Sequence, residues 1–200
     1  IRPELDASVD FVFSSMPHKA SAEIVQPLIR DGMKVVDVSA DFRLKSRDVY
    51  ESWYNVDHPC PDLLAQAVYG SPELHRDEIR RAQLVANPGC YPTGALLALA
   101  PAVAAGIVEG DIIVDSKSGV SGAGRSLSLA THYAECNESV AAYSVGGHRH
   151  EPEISQEACL LGEVGAVVFQ PHLVPMNRGI LSTCYIPLSA SWRQGTGDPG

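Results

Sequence analysis

The residues able to do chemistry in this 200-residue chain gather on four short segments. The first is Asn87-Pro88-Gly89-Cys90-Tyr91-Pro92-Thr93-Gly94, a cysteine framed by prolines and glycines. Residues 82–86 before it read as a short buried strand, and the apolar run 95–100 after it reads as a helix. A cysteine at a helix start meets unpaired backbone N–H groups and the positive end of the helix dipole. Both favour the thiolate, which is the nucleophilic form. The same donors can hold an oxyanion that forms on an attacked carbonyl. Most cysteines are inert packing, and this frame is what sets Cys90 apart.

A nucleophilic cysteine needs a base, and the second segment, Gly147-His148-Arg149-His150-Glu151-Pro152-Glu153-Ile154, offers two histidines. His150 falls at the start of a helix expected over 151–161, with Pro152 just inside it. The positive helix end disfavours the imidazolium and keeps that ring available as a base. His148 lies on the same side if the segment is extended. The rival readings are a pair of structural histidines or a metal pair. No acidic or cysteine partner stands at a recognised ligand spacing, so no metal is assigned.

The third segment, Ser118-Gly119-Val120-Ser121-Gly122-Ala123-Gly124-Arg125, can bring backbone N–H groups close to an anion, or can be a flexible turn. Its Gly-x-x-Gly-x-Gly order is neither the dinucleotide fingerprint nor a Walker A loop. The fourth, Pro171-His172-Leu173-Val174-Pro175-Met176-Asn177-Arg178-Gly179-Ile180, carries Arg178, which could grip a carboxylate or phosphate in bidentate fashion or sit solvated. Asp41-Phe42-Arg43 has the same ambiguity.

The elements that must position these groups follow from periodicity. Residues 9–13 read as a buried strand, 14–18 as a loop, and 20–30 as a helix with one apolar face at Ala20, Ile24, Val25, Leu28 and Ile29. Asp31-Gly32 closes that helix and 34–38 is the next strand, which makes a β-α-β unit with parallel strands. Ligands bind beyond the carboxyl ends of such strands, which here are 14–18 and 39–43. Residues 41–80 look less regular, with Tyr50, Trp53 and Tyr54 as aromatic packing. Pro101 is expected to end or kink the helix that follows Cys90. Further on, 111–115, 140–145, 165–170 and 180–188 read as strands, and 127–138 is ambiguous. The expected fold class is α/β followed by α+β: a parallel sheet, then a mixed or antiparallel sheet with helices on one face.

Composition narrows the function. The chain is 45% hydrophobic and 20% charged, as a packed globular protein requires. A net charge of −9 without a Lys/Arg-rich run argues against nucleic acid as a partner. No apolar run approaches the roughly 20 residues of a membrane span. Five cysteines at wide spacings, without a Cys-x-x-Cys pair, argue against a disulfide framework and for a reducing compartment, the cytoplasm. The chain opens on Ile1 and closes on a polar, Gly-rich stretch, so it reads as a fragment cut at both ends.

Together with Ser39-Ala40-Asp41-Phe42-Arg43-Leu44, the four segments resemble the N-acetyl-gamma-glutamyl-phosphate reductase family, in family order and over nearly the whole chain. The resemblance implies an incomplete NADP-binding Rossmann-type domain over 1–88 and a catalytic and oligomerisation domain over 89–200. It implies NADPH-dependent reduction of an acyl phosphate to an aldehyde plus phosphate, in arginine biosynthesis, by a homo-oligomer (dimer or tetramer). By the same likeness Cys90 is the nucleophile and His150 the acid/base. Asn87, His148, Arg149, Arg125 and Arg178 become substrate-site candidates, while Pro17, His18, Ser121 and Gly122 face NADP. The family's opening strand with its Gly-rich pyrophosphate loop has no counterpart here, nor has its closing C-terminal segment, which leaves the NADP site incomplete and predicts a chain inactive alone. The alternatives are a reductase of aspartyl or carrier-linked aminoadipyl phosphate, a Cys/His hydrolase or acyltransferase without nicotinamide, and a non-catalytic fragment.

Overall fold

The computed structural model describes residues 9–196. The chain divides into two units, Ile1–Gly89 and Cys90–Gly200.

In the first unit four parallel strands, β1 (Phe11–Ser14), β2 (Lys34–Asp37), β3 (Val68–Tyr69) and β4 (Leu84–Ala86), lie in the order β1-β2-β4-β3. Helix α1 (Ala20–Arg30) joins β1 to β2 and buries Ser21, Ala22, Val25, Leu28 and Ile29, one face at helical spacing. Gly32, at φ +86, supplies the left-handed residue that turns the chain out of α1. These helix residues pack on Val35, Phe42, Leu64 and Leu84 as the core of the unit.

The irregular stretch 41–80 proves more ordered than its pattern suggests. It holds α2 (Arg47–Tyr54) and α3 (Pro72–Arg81) besides β3. Ser46 caps α2 by accepting a hydrogen bond from the Val49 N–H at 3.3 Å, and Asn55 ends it in the left-handed region. α3 buries none of its residues, so it carries no apolar stripe to betray it. The opening strand is only half buried: Phe13 is 72% exposed, while Val12 packs against the core and Ser14 is buried. Its apolar run spans both faces of a pleated strand, one face in and one out.

The second unit begins with α4 (Cys90–Ala104), which starts at Cys90 itself and not at Ala95. Pro92 is accommodated in its first turn, where the missing N–H has no partner to lose. Pro101 does not end the helix, which runs on to Ala104. The carbonyl freed by that proline belongs to Leu97, which lies on an exposed side where water can reach it. Four strands follow: β5 (Ile112–Gly119), β6 (Ala141–Ala142), β7 (Val167–Val174) and β8 (Ile180–Tyr185). They form a mixed sheet in the order β6-β7-β5-β8, with β5 parallel to β7 and antiparallel to β8.

The strand expected over 140–145 shrinks to Ala141–Ala142, and the ambiguous 127–138 holds a short helix α5 (Tyr133–Cys136) with no buried residue. Helix α6 (Glu151–Leu161) packs on α4 and β7, burying Glu153, Ile154, Glu157 and Ala158. Alternate residues of β5, namely Ile112, Val114, Ser116 and Ser118, are buried on the inner face of the sheet. The Ser116 and Ser182 hydroxyls meet there at 2.7 Å. A last helix, α7 (Ala190–Thr196), closes the described chain.

Candidate active site

Cys90 is the first residue of α4, a free thiol exposed to solvent. A helix start is where backbone N–H groups have no carbonyl partner within the helix. Cys60, by contrast, is buried in the core of the first unit, where burial pushes its thiol up to about 11. Of these two thiols only Cys90 has both access and a helix start.

The residue after the thiol organises the site. The Tyr91 ring is buried and makes edge contacts with His148 at 5.7 Å, His150 at 5.8 Å and Phe169 at 5.1 Å. Its hydroxyl meets that of Tyr143 at 2.7 Å. The two histidine rings stand 4.9 Å apart. One aromatic side chain therefore holds both histidines beside the start of α4. His150 sits at the cap position of α6, and its N–H donates to His148 Nδ1 at 3.1 Å. That acceptor role places the His148 proton on Nε2. Burial, with the Arg149 charge added, pushes the His148 pKa down to about 4, so the ring is neutral at physiological pH. Burial, then the hydrogen bond shared with Tyr91, holds the Tyr143 phenol protonated well above its usual range, and nearby Cys90 adds to the push.

The Gly-rich and Arg178 segments, far apart in sequence, pack against each other. Gly119 N–H donates to the Gly179 carbonyl at 2.9 Å, Val120 N–H to Met176 at 2.9 Å, and Ser121 N–H to Asn177 at 3.1 Å. The Ser121 hydroxyl also donates to the Asn177 carbonyl, at 2.5 Å. A Cβ on Gly119 would meet the backbone of Asn177 and Arg178 at 2.8 Å. Gly119 thus serves close packing of two chain segments. The N–H groups of Gly119, Val120 and Ser121 are spent on carbonyls, so these three do not serve an anion. Arg125, Arg149 and Arg178 are exposed, and Gly122 lies on the turn after β5.

In the first unit Pro17 and His18 are exposed at the carboxyl end of β1, and His18 contacts the Tyr54 ring at 5.8 Å. Asn87 follows β4, its side-chain amide donating to the Pro88 carbonyl at 3.0 Å. Arg43 is no free anion grip: its guanidinium donates to the Asn87 and Val38 carbonyls at 2.8 and 2.9 Å, which ties the segments after β2 and β4 together. Asp37 is buried and bonded to Ser21 and Ser39, and burial raises its pKa in spite of those bonds. A dinucleotide fits this edge only in part. The N–H groups of Lys19 and Ala22, at the start of α1, already donate to Asp41, so that helix start opposes a phosphate, while the exposed Pro17-His18 turn is open to an uncharged ring.

Sequence reasoning missed Tyr91, Tyr143 and Phe169 as organisers, and Asp41 as the cap of α1. Among the described residues no group of three His, Cys, Asp or Glu could hold a metal ion, and no helix is long and apolar enough to cross a membrane.

Comparison with known proteins matches both units. A family model described as the semialdehyde dehydrogenase dimerisation domain covers residues 90–196, and one described as the semialdehyde dehydrogenase NAD binding domain covers residues 2–82. The chain is 53% identical over 190 residues to a protein of Dehalococcoides mccartyi called N-acetyl-gamma-glutamyl-phosphate reductase, covering 94% of this chain and 56% of that one. Proteins of the same name from Syntrophobacter fumaroxidans (56% over 183 residues, 90% and 53% covered) and Rhodopirellula baltica (57% over 181 residues, 90% and 52% covered) are equally similar. The chain thus spans about half the length of the curated relatives it matches. Among solved structures, aspartate semialdehyde dehydrogenase II from Vibrio cholerae superposes with a TM-score of 0.66 at 18% identity, covering 91% of this chain and 56% of that chain. The Candida albicans aspartate semialdehyde dehydrogenase with NADP gives 0.63 at 14%, covering 90% and 51%. At such identities these two speak for the fold.

Proposed function

The chain belongs to the semialdehyde dehydrogenase family, and from that premise we propose that it carries the chemical centre of an NADPH-dependent N-acetyl-gamma-glutamyl-phosphate reductase of arginine biosynthesis. The observation that carries the reading is a solvent-exposed thiol at a helix start whose neighbour, Tyr91, holds two histidines. The name shared by its relatives selects the substrate.

The residues account for the steps. Cys90 thiolate attacks the carbonyl carbon of the acyl phosphate, a C–S bond forms, and the C–O bond to phosphate breaks. N–H groups of the first turn of α4 hold the oxyanion. NADPH, when bound, supplies hydride to the thioester carbon. His150 protonates the oxygen of the resulting thiohemiacetal, then takes the proton back as the C–S bond breaks to give aldehyde and free thiolate. His148, neutral, accepts the His150 backbone N–H, which fixes its own ring beside that base. Asn87, Arg125, Arg149 and Arg178 are offered as substrate contacts. Pro17 and His18 would hold the uncharged nicotinamide end of NADP, with Ser121 and Gly122 on the cofactor side.

The protein works in the cytoplasm as a homo-oligomer, a dimer or tetramer. Support for self-association comes from the outer face of the second sheet. Val168, Ile113 and Tyr185 form one row across β7, β5 and β8, and His172, Lys117 and Leu181 another. The apolar members are left exposed, Leu181 by 64%.

The test is NADPH formation by the protein that carries this chain, with N-acetylglutamate semialdehyde and phosphate, and with aspartate semialdehyde as comparator. Phosphate-dependent turnover of the acetylated substrate alone is expected. Turnover of the comparator instead moves the substrate assignment, and no turnover of either by folded protein overturns the reading.

A further inference from the structure

We propose that Asp41 is a positioning residue that clamps the turn at residues 17–19 and thereby sets the affinity of this strand-end edge for the nicotinamide dinucleotide; the proposal rests on the dinucleotide reading of the first unit. A helix start is usually capped by its own first residues. Here the cap position is Lys19, which makes no side-chain cap bond and stands at φ 68, ψ −54. That is a costly conformation for a residue with a Cβ, and it persists only where its surroundings impose it.

What imposes it comes from beyond β2. Asp41, fully buried, accepts the Lys19 N–H on Oδ1 and the Ala22 N–H on Oδ2, both at 2.9 Å. Tyr50 donates its hydroxyl to Oδ1 at 2.7 Å. Asp41 is itself immobilised: its N–H donates to Ser39 Oγ at 3.1 Å, and its carbonyl accepts from His58 Nε2 at 2.8 Å. Strain at one residue and a fixed carboxylate that offsets it together preset the turn. Directly beside the strained residue lie Pro17 and His18, exposed at the carboxyl end of a parallel strand, where ligands of such sheets bind. Without the clamp Lys19 relaxes to an ordinary conformation and the preceding peptide swings, so binding must first restore the turn.

The test uses Asp41→Asn in the protein that carries this chain. Amide exchange at Lys19 and Ala22 is expected to quicken at least about tenfold, and the NADPH dissociation constant to rise about tenfold with kcat little changed. Lys19→Gly added to that variant should recover the NADPH affinity to within about threefold, since glycine adopts this conformation freely, while the melting temperature stays lowered. A merely structural Asp41 gives a lowered melting temperature without that rescue. Unchanged affinity in Asp41→Asn, or weakened affinity that Lys19→Gly does not recover, overturns the proposal. If Asp41→Asn does not fold, Tyr50→Phe removes one donor from the carboxylate, and unchanged exchange at Lys19 and Ala22 in that variant overturns it equally. A wild type that binds no NADPH overturns the dinucleotide reading, a failure visible before any substitution is made, and the affinity claim falls with it.

Discussion

Serine in place of Cys90 keeps the shape of the α4 start and removes the thiolate. Cys90→Ser is expected to lower kcat by at least about a thousandfold, because an unactivated hydroxyl is a far weaker nucleophile. An exposed side chain supports little of the fold, so the melting temperature should not move, and turnover near wild type would sink the assignment. His148 has a consequence for pH. Its pKa drops from 6.5 to about 4 on folding. Above pH 6.5 both states hold the ring neutral. Between 6.5 and about 4 the unfolded chain takes up a proton that the folded chain refuses, so stability falls as the pH falls. Urea unfolding of His148→Phe should show a flatter loss across that window, and an unchanged slope would place the pH sensitivity elsewhere. At this scale the proposed pair, Cys90 and His150, stood out in the sequence, because each sits in a Pro/Gly frame at an expected helix start. Tyr91 and Tyr143 did not, since an aromatic that packs and one that positions look alike in sequence. Asp41 was hidden because its partners lie across a folded turn.

Elements were legible where one face is apolar and the other polar. α1 announces itself by spacing, and β2 by its Val-rich run. α2 and α3 escaped because their sequences are dominated by charge and aromatics. Their capping signals, Ser46 before α2 and Ser71-Pro72 at α3, were the only local cues. The Gly-rich stretch is ambiguous for another reason, since glycine for an anion and glycine for tight packing have the same composition. At Gly119 the contact is packing. Its missing Cβ makes room for the Asn177 and Arg178 backbone, which cannot swing aside. Gly119→Ala should therefore cost about 2 kcal/mol of stability in chemical denaturation. Loss of less than about 0.5 kcal/mol would mean that the two segments separate without penalty.

Across the whole molecule the prediction concerns association. Leu181→Arg places a charge on the outer sheet face, where Leu181 is exposed among the described residues. Sedimentation velocity should show wild type as a dimer or larger and the variant as a monomer with an unchanged melting profile at low concentration. An unaltered sedimentation coefficient would remove this face from the interface. The strand order carries one more consequence, for the chain as it is made. In the first unit β1 and β2 pair as soon as Asp37 is available, and β4 completes their neighbourhood by Ala86. In the second unit every described ladder requires β7 or β8, so β5 waits from Gly119 until Val167 for a partner. Helix α4 spends that interval without the sheet beneath it. A growing polypeptide thus carries Cys90 for some eighty residues of synthesis before the sheet that packs beside its helix exists. The interval between Cys90 and β7 is a window in which oxidants compete with folding, and nascent chains stalled there should be labelled at Cys90 by thiol reagents without the selectivity of the finished protein.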